Sequence, residues 1–172
     1  MHYFSGMSSD DILPAGKPVN TTPQFQPDHR LRILVVEDDV DIRRINAQVL
    51  MQAGYHVDAA KDGAVAWDVL QLGNYDLLIT DNAMPELTGI ELLRRIHAAN
   101  LRLPVIMASG NLPTWEFSVY PWLQPAAVLL KPYHVKELLA AVQNVLSTTL
   151  NVQTKMAAPD WQSYPPDRGF RL

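Results

Sequence analysis

The amino-acid sequence predicts an α/β domain in which five parallel strands form a sheet covered by helices on both faces. Between residues 31 and 148, short apolar runs alternate with amphipathic stretches of helical periodicity, which is the pattern of successive βα units. The runs are almost wholly apolar instead of alternating, as in parallel strands that are buried on both faces. With 172 residues, 48% of them apolar, the chain can bury such a core without disulfides.

The strands are predicted from short runs rich in Val, Ile, Leu and Ala, each of which ends at a charged, small or turn-forming residue. In chain order, the predicted strands are residues 31–36, 55–60, 76–80, 104–108 and 126–130. The helices are predicted from apolar residues that recur every three or four positions, and glycine ends the first two of them. In chain order, the predicted helices are residues 40–53, 63–72, 88–99 and 135–146.

The first predicted helix is expected to face the sheet with four apolar side chains: Ile42, Ile45, Val49 and Leu50. Asp39 precedes this helix and is expected to cap it, because an aspartate oxygen can accept hydrogen bonds from the free N–H groups of the first turn. Arg43 and Arg44 lie in the same helix and are interpreted as part of its solvated face.

The connection between the fourth and fifth strands departs from the regular pattern. Pro113, Pro121 and Pro125 bracket the place where a fourth helix should lie, and proline breaks helices. We therefore expect an irregular fourth helix of at most two turns that starts near Thr114 as its N-cap. Packing against the sheet is the simpler explanation for the aromatic residues of this segment, and an interaction patch is the alternative. These aromatic residues are Trp115, Phe117, Tyr120 and Trp122.

Composition divides the chain into a folded domain at residues 31–148 and two tails. Residues 1–30 contain four prolines among polar residues and have no apolar periodicity, which predicts a flexible N-terminal leader. Residues 149–172 have a similar composition and are predicted to form a flexible C-terminal tail. Trp161 and other aromatic residues give this tail more capacity for contacts than a simple spacer needs.

Charge and composition exclude several classes of function. The 14 basic and 18 acidic residues give a formal net charge of −4, which argues against direct binding to nucleic acid. The absence of cysteine excludes disulfides and thiol nucleophiles. No apolar run is long enough for a membrane span, and no signal peptide is recognisable, so we expect a cytoplasmic protein without membrane contact.

Polar residues occur where four of the predicted strands end: Glu37, Asp38, Asp81, Ser109 and Lys131. Ligands of open parallel sheets bind at this edge. If the first and third strands are neighbours, three carboxylates converge there, and their repulsion favours a bound cation. Mg²⁺ prefers such oxygen ligands, and a lysine and a hydroxyl could then contact a phosphoryl group. The set fits phosphoryl transfer to a carboxylate nucleophile.

Each of these residues also has a structural explanation. Asp81 could cap the turn that leads to Pro85, and Lys131 could be an ordinary surface lysine. The Ser109 hydroxyl could satisfy neighbouring backbone groups, as serine often does at the end of a strand. The chemical interpretation depends on the convergence of these residues at one edge of the sheet.

Four runs of the sequence, taken together and in order, resemble the receiver domain of the response regulators of two-component signalling, the CheY-like superfamily. The runs are Ile33–Asp39, Tyr75–Gly89, Pro104–Gly110 and Leu129–Tyr133. The similarity covers about residues 31 to 146. It implies a flavodoxin-like, doubly wound sheet with the strand order 2-1-3-4-5.

The resemblance also implies a chemistry, in which a partner histidine kinase or phosphotransfer protein phosphorylates Asp81 to an aspartyl phosphate. Mg²⁺ would be the cofactor, held by Asp38, Asp81 and the backbone carbonyl of Ala83, and Glu37 would assist through a water molecule. In this scheme the chain catalyses at most its own phosphorylation and dephosphorylation.

The resemblance further implies that Ser109 and Lys131 contact the phosphoryl group and that a cis peptide bond precedes Pro132. The sequence departs from the family at one position that bears on signalling. Three residues before the lysine, where family members commonly have an aromatic residue that reports phosphorylation to partners, this chain has Val128. The irregular fourth helix is a second departure, and it changes the surface that receivers use for output.

The expected function is therefore that of a response regulator that signals through contact with a downstream protein, since the residues after Thr148 are too few for a DNA-binding or enzymatic module. The sequence leaves a homodimer and a monomer as open alternatives. Val128 and the altered fourth helix motivate an alternative, a receiver-like interaction module that works without phosphorylation. An enzyme of similar fold is a further alternative, but an aspartate-dependent phosphatase would need an acid at the position of Ala83.

Overall fold

The sheet and helices follow one another along the chain almost as the sequence predicts. The computed structural model describes residues 30–157, with the side chains described up to residue 151. The strands are β1 Arg32–Val36, β2 His56–Ala60, β3 Leu77–Asp81, β4 Val105–Ser109 and β5 Ala127–Leu130. The helices are α1 Val40–Gln52, α2 Gly63–Leu72, α3 Gly89–Ala98, α4 Thr114–Val119 and α5 Val135–Ala157, and a 3-10 turn covers Pro121–Leu123.

The five strands are parallel and lie in the order β2-β1-β3-β4-β5. This order confirms the predicted doubly wound topology of the flavodoxin type. β1 and β3 are neighbours, with Val36 opposite Thr80, and Asp81 lies opposite Ala108 of β4. The residues that follow β1 and end β3 are thereby brought to the same edge of the sheet.

β1, β3 and β4 each contribute to two separate apolar layers, because successive side chains point to opposite faces of a sheet. One layer lies under α2 and α3 and includes Leu34, Leu78 and Met107. The other lies under α1 and α5 and includes Ile33 and Ile79 with their neighbours. All residues of β3 and β4 are buried, which agrees with the nearly continuous apolar runs in the sequence.

The apolar face predicted for α1 is wrong at Ile45, whose exposed fraction is 50%. The buried residues of this helix are Asn46, Ala47 and Leu50. The helix packs on a face centred on a small and a polar residue, which a search for large apolar side chains cannot identify. Asn46 is accommodated because its amide donates a hydrogen bond to the Tyr133 hydroxyl at 2.9 Å.

The fourth helix is irregular and short, as predicted, but its N-cap is Pro113 and not Thr114. The Pro113 carbonyl accepts the first helical hydrogen bond, from the Phe117 N–H at 3.1 Å, so Thr114 is the first residue of the helix. Phe117 and Tyr120 pack partly buried against the core, which agrees with the packing interpretation of the aromatic residues. Trp115 is 66% exposed and does not fit that interpretation.

The last helix is longer than predicted, because α5 continues to Ala157. Residues 149–157 are therefore helical, and the predicted boundary of the tail at residue 148 needs correction. No proline or glycine occurs between Val135 and Pro159, so nothing in the backbone chemistry ends the helix earlier. The predicted leader up to residue 29 and the tail after residue 157 lie outside the described residues. No helix in the described part of the chain has the length and hydropathy to cross a membrane.

A small polar cluster joins β1, β2 and the segment before β3 at the amino edge of the sheet. The Asp58 carboxylate accepts hydrogen bonds from the Arg32 guanidinium at 2.7 Å and the Tyr75 hydroxyl at 2.8 Å. The hydrogen bond from Tyr75 and the contact with Arg32 lower the pKa of Asp58. Burial and the hydrogen bond to Asp58 raise the pKa of Tyr75 to about 12.

This cluster predicts a stability difference that depends on pH in the alkaline range. The raised pKa of Tyr75 means that its contribution to the free energy of unfolding is complete below pH 10, its ordinary pKa, and is lost as the pH rises through about 12. Tyr75→Phe lacks this contribution. We expect the wild type to be the more stable protein at neutral pH, and urea unfolding should show this difference narrowing between pH 10 and 12. A difference that is constant with pH would contradict the assignment.

Candidate functional site

Three carboxylates converge at the carboxyl edge of the sheet, as the strand order requires. Glu37 and Asp38 directly follow β1, Asp81 ends β3, and carboxylate oxygens of the three lie within 4.8 Å of one another. The side chains of Glu37 and Asp81 are only 3% and 9% exposed, whereas Asp38 is exposed to solvent. The predicted convergence of these residues is present in the structure.

Lys131 joins two of these carboxylates from the end of β5. Its Nζ lies 2.6 Å from Glu37 Oε2 and 2.5 Å from Asp81 Oδ2. Burial alone would lower the pKa of Lys131, but the hydrogen bonds to Asp81 and Glu37 outweigh this effect and raise it. Burial raises the pKa of Glu37 despite its contact with the ammonium group. The lysine therefore supplies a permanent positive charge beside the carboxylates.

The Asp81 carboxylate is held in place through both of its oxygens. Oδ1 accepts hydrogen bonds from the N–H groups of Asn82 at 2.5 Å and Ala83 at 3.1 Å, and Oδ2 faces Lys131. A carboxylate has about four acceptor positions. Contacts within the described residues use three of them, so one remains on Oδ2, the oxygen beside the lysine. This oxygen has both a free lone pair and a cation that would neutralise a charge developing next to it.

The loop after Asp81 is packed closely against the start of α3. A side chain at Gly89 would collide with the Asp81 carbonyl oxygen, so only glycine fits there. The Gly89 N–H and the Ile90 N–H both bond to Asn82, through its carbonyl and its side-chain oxygen at 3.2 and 3.1 Å. Thr88 caps α3 and forms a reciprocal pair of hydrogen bonds with Glu91. These contacts fix the loop that carries the Asp81 backbone.

Ser109 ends β4 in a buried position, but its hydroxyl is used locally. It donates a hydrogen bond to the Asn111 carbonyl at 2.7 Å and accepts a longer one from the Asn111 N–H at 3.3 Å. In this turn the Ser109 hydroxyl satisfies neighbouring backbone groups, which is the structural explanation given above for this serine. A contact between Ser109 and a phosphoryl group stays a prediction, as does a metal contact of the Ala83 carbonyl.

The predicted cis peptide bond between Lys131 and Pro132 is present.

The β1–α1 loop contains a contact that the sequence interpretation missed. Asp39 caps α1 as predicted, accepting hydrogen bonds from the Asp41 N–H at 2.9 Å and the Ile42 N–H at 3.0 Å. The interpretation of Arg43 as a solvated residue is wrong, because its guanidinium donates to the carbonyl oxygens of Glu37 at 2.6 Å and Asp38 at 3.1 Å. The sequence offers no signal for this contact except the length of the arginine side chain.

An open apolar groove of about 440 Å³ lies beside the acidic cluster, between α1 and the start of α5. Ile42 and Ile45 form one wall, Tyr133 and Val135 form the other, and the groove reaches Lys131. Ile45 is exposed because it lines this open groove, and the groove places it on the same side of the domain as Lys131. The groove and the acidic cluster therefore share Lys131 as a common boundary.

The donor set fits a magnesium ion. Mg²⁺ binds carboxylate oxygens at about 2.1 Å in octahedral geometry, which places its ligand oxygens about 3 to 4 Å apart. The carboxylate oxygens of Glu37, Asp38 and Asp81 have a similar spacing, within 4.8 Å. All three candidates are hard oxygen donors, which suit magnesium better than a transition metal.

The chain thus combines a doubly wound parallel sheet with three acids and a lysine at its carboxyl edge. A family model described as the response regulator receiver domain matches residues 33–143. The chain belongs to the response regulator receiver domain family, which confirms the resemblance seen in the sequence. Aspartate phosphorylation and magnesium binding are typical of this family.

Among curated proteins, the chain is 37% identical over 115 residues to the response regulator receiver protein CpdR of Brucella abortus, covering 67% of this chain and 96% of CpdR. It is also 37% identical over 116 residues to the DNA-binding transcriptional regulator NtrC of Bradyrhizobium, covering 67% of this chain but 24% of NtrC. In other relatives, such as the transcriptional regulatory protein DltR of Streptococcus agalactiae, the chain spans 50% of the length.

Solved structures show the same fold. The chemotaxis response regulator CheY4 of Vibrio cholerae superposes with a TM-score of 0.61 at 28% identity, covering 67% of this chain and 98% of CheY4. The response regulator TrrA of Thermotoga maritima, solved in complex with Mg²⁺ and BeF, has a TM-score of 0.60 at 29% identity, covering 67% of this chain and 98% of TrrA.

Proposed function

We propose that this chain is a phosphorylation-dependent response regulator that receives a phosphoryl group on Asp81 and signals through protein contact. The observation that carries the proposal is the position of Lys131, which bridges Asp81 and Glu37 beside the exposed Asp38. This arrangement combines a nucleophile, a fixed positive charge and the ligands of a divalent cation at one edge of the sheet. The proposed donor is a histidine kinase or a phosphotransfer protein.

In the proposed reaction, Oδ2 of Asp81 attacks the phosphorus atom of a phosphohistidine. A P–O bond forms as the P–N bond breaks, and the histidine nitrogen keeps the electron pair and takes a proton from solvent. Lys131 neutralises charge on the incoming phosphoryl oxygens, and the Asn82 and Ala83 N–H groups hold Oδ1 so that Oδ2 faces Lys131.

Asp38, Asp81 and the Ala83 carbonyl would hold the magnesium ion, with Glu37 acting through a water molecule. When bound, magnesium supplies further neutralisation of the phosphoryl oxygens. Phosphorylation adds a charge of roughly −1.5 to −2 at the end of β3. The Ser109 hydroxyl is close to this edge, and it must leave its turn with Asn111 to contact the new group. The output is a population shift between loop arrangements after β3, β4 and β5.

The test of this function is the intact mass of the full chain after incubation with acetyl phosphate and Mg²⁺. The proposal expects the mass of the wild type to increase by that of one phosphoryl group, and expects no increase when Mg²⁺ is removed with EDTA. An unchanged mass at saturating donor and Mg²⁺ would support the second candidate function. That candidate is a receiver-like interaction module that works without phosphorylation.

Val128 is the observation that favours the second candidate. It is 38% exposed on the edge strand β5, at the position where receivers commonly have an aromatic residue that reports phosphorylation. The single short helix α4 also changes the neighbouring surface. These features concern how a signal leaves the domain. They do not affect the acids and the lysine that would accept the phosphoryl group.

The apolar groove beside the site predicts a variant that separates protein donors from small donors. Ile45→Asp places a charge on one wall of the groove. A histidine kinase that docks over the groove would bury this wall, and burial of one large apolar side chain contributes roughly 1.5 to 3 kcal/mol. Loss of this contribution should slow phosphoryl transfer from the kinase about tenfold. Transfer from acetyl phosphate should not change. The kinase is the one that phosphorylates the wild type fastest in a purified panel.

Leu72→Asp is the matched control for this experiment. Leu72 is 89% exposed on α2, away from the groove. This variant should accept the phosphoryl group from both donors at the wild-type rate. Equal slowing of Ile45→Asp with both donors would place the defect in the site itself and would contradict a docking role for the groove.

A further inference from the structure

The side chain of Arg43 folds back over the β1–α1 loop instead of extending into solvent. One nitrogen, Nη1, donates to two successive carbonyl oxygens, those of Glu37 at 2.6 Å and Asp38 at 3.1 Å. The neighbouring Arg44 behaves differently, because its side chain is 74% exposed and pairs with Asp41 at 3.2 Å on the helix surface. Two adjacent arginines therefore have different roles, and one of them contacts the backbone of the acidic residues.

The contact matters because it completes the restraint of the Glu37 peptide units. The Glu37 N–H donates to the Ala60 carbonyl of β2 at 3.2 Å, and the Glu37 carbonyl accepts from Arg43. With the backbone fixed on both sides, the Glu37 side chain is directed toward Lys131. Arg43 is the side chain that supplies the second of these restraints.

Asp38 depends on this restraint more than Glu37 does. Its carbonyl is held by Arg43, but within residues 30–157 no hydrogen bond to its carboxylate is present. The backbone fixes the direction in which the Asp38 side chain leaves the loop, and side-chain rotamers then decide where its exposed carboxylate lies. Asp38 nevertheless lies close enough to Glu37 and Asp81 for the three to share one ion.

The placement of Arg43 is unfavourable for the helix that carries it. Arg43 is the fourth residue of α1, and a positive charge in the first turn of a helix opposes the helix dipole. The hydrogen bonds to the two loop carbonyls offset this cost. The guanidinium also satisfies the Glu37 and Asp38 carbonyl groups, which lie beyond the end of β1.

We propose that Arg43 is a positioning residue of the cation site, which fixes the directions of the Glu37 and Asp38 carboxylates by holding their backbone carbonyls. The inference rests on the proposed function, because it takes Asp38 and Asp81 as ligands of Mg²⁺ and Glu37 as acting on the ion through a water molecule. Arg43 does not contact the ion. It acts through the loop that presents two of the three carboxylates.

Positioning and simple electrostatics predict opposite changes in Mg²⁺ affinity when Arg43 is replaced. A positive charge near an acidic cluster repels a divalent cation, so its removal by charge alone would tighten Mg²⁺ binding. Loss of positioning would weaken Mg²⁺ binding, and groups that orient metal ligands typically change affinity by about 10-fold or more. A purely structural arginine would change the unfolding midpoint and leave Mg²⁺ affinity as it is.

The experiment measures Mg²⁺ binding to the full chain by isothermal titration calorimetry, with urea unfolding in EDTA as a second readout. Arg43→Met keeps the aliphatic stem and removes all donors, Arg43→Lys keeps a charge and a donor, and Arg44→Met is the matched control. We expect the Kd for Mg²⁺ to rise about 10-fold in Arg43→Met, to rise by less in Arg43→Lys, and to stay within about twofold of the wild type in Arg44→Met.

An equal or lower Kd in Arg43→Met would overturn the inference, as would weaker binding in Arg43→Lys than in Arg43→Met. If Arg43→Met does not fold, Arg43→Lys decides alone, and a Kd at or below the wild-type value would overturn the inference. A wild type that binds no Mg²⁺ would instead contradict the proposed function. Failure of the inference is thus separate from failure of the function on which it rests.

Discussion

Asp81→Asn is expected to abolish phosphorylation of the chain by acetyl phosphate and Mg²⁺. The amide has nearly the same shape as the carboxylate, so the fold should persist, but its oxygen lacks the negative charge needed to attack phosphorus. The amide also cannot offer acceptors to Lys131 and to the Asn82 and Ala83 N–H groups together. Intact mass should show the phosphoryl group on the wild type and none on the variant.

Asp68→Asn is the matched control for Asp81→Asn. Asp68 is exposed on α2, and the same change of charge there should leave the extent of phosphorylation at the wild-type level. Both variants should show the same far-ultraviolet circular dichroism as the wild type. Modification of Asp81→Asn to the wild-type extent would show that another residue is the phosphoacceptor and would end the assignment.

Lys131→Met is expected to lower the free energy of unfolding at pH 7 by about 3 kcal/mol in the absence of Mg²⁺. The Glu37 and Asp81 carboxylates are nearly buried, and removing their shared cation leaves them uncompensated, a change that typically costs about 3 to 5 kcal/mol. Urea unfolding in EDTA measures this loss. Mg²⁺ should restore more stability to the variant than to the wild type, because it replaces the missing positive charge.

The stability loss in Lys131→Met should also depend on pH. The pKa of Glu37 decides whether this loss grows or shrinks as the pH rises. Burial already raises the pKa of Glu37 above 4.5 with the lysine present, and removing the lysine raises it further. A carboxyl group with a raised pKa contributes stability at low pH and loses it as the pH rises through that pKa. The difference from the wild type should therefore be larger at pH 7 than at pH 5.

Lys136→Met, an exposed lysine on α5, supplies the control for Lys131→Met. It should change the unfolding free energy little at either pH, because exposed charges typically contribute less than about 1 kcal/mol. A Lys131→Met variant as stable as this control, or a loss that is the same at pH 5 and pH 7, would contradict the view that the lysine compensates two buried carboxylates.

The order of the elements and the location of the site could be predicted from sequence, because both depend on short stretches of neighbouring residues. Apolar runs such as the one that ends at Val36 identify buried parallel strands without reference to the rest of the chain. Glu37, Asp38, Asp81 and Lys131 each follow or end such a run. Once the strand order is known, the ends of neighbouring strands must lie together.

Features that depend on packing geometry could not be predicted in this way. Ile45 has the spacing of a core residue, yet Asn46 takes the buried position because Tyr133 offers it a hydrogen-bond partner far along the chain. Arg43 has the spacing of a surface residue, but its side chain reaches back to the Glu37 and Asp38 carbonyls. In both cases the contact that decides the side-chain position is made with an atom outside the helix, and the spacing of residues within the helix carries no information about it.

The conformations of α4 and of Ser109 were only partly predictable, because they too depend on individual hydrogen bonds. The prolines around α4 indicate an interrupted helix, but they do not indicate where its first hydrogen bond forms, and Pro113 provides that carbonyl instead of Thr114. Ser109 ends a strand as expected. The direction of its hydroxyl depends on the turn at Asn111, which one rotation of a side-chain bond can make or break.

The helix α4 contains no fully buried residue, and the segment is anchored to the core by the buried Leu123 just after it and by the partly buried Phe117 and Tyr120. Substitutions on the exposed side of residues 114–119 therefore cost little folding free energy. The acids and Lys131 are held by other strands and loops. Under the proposed function, the surface of this segment can therefore vary in sequence while the residues of the candidate site stay constant, so the same scaffold can present different surfaces to downstream proteins.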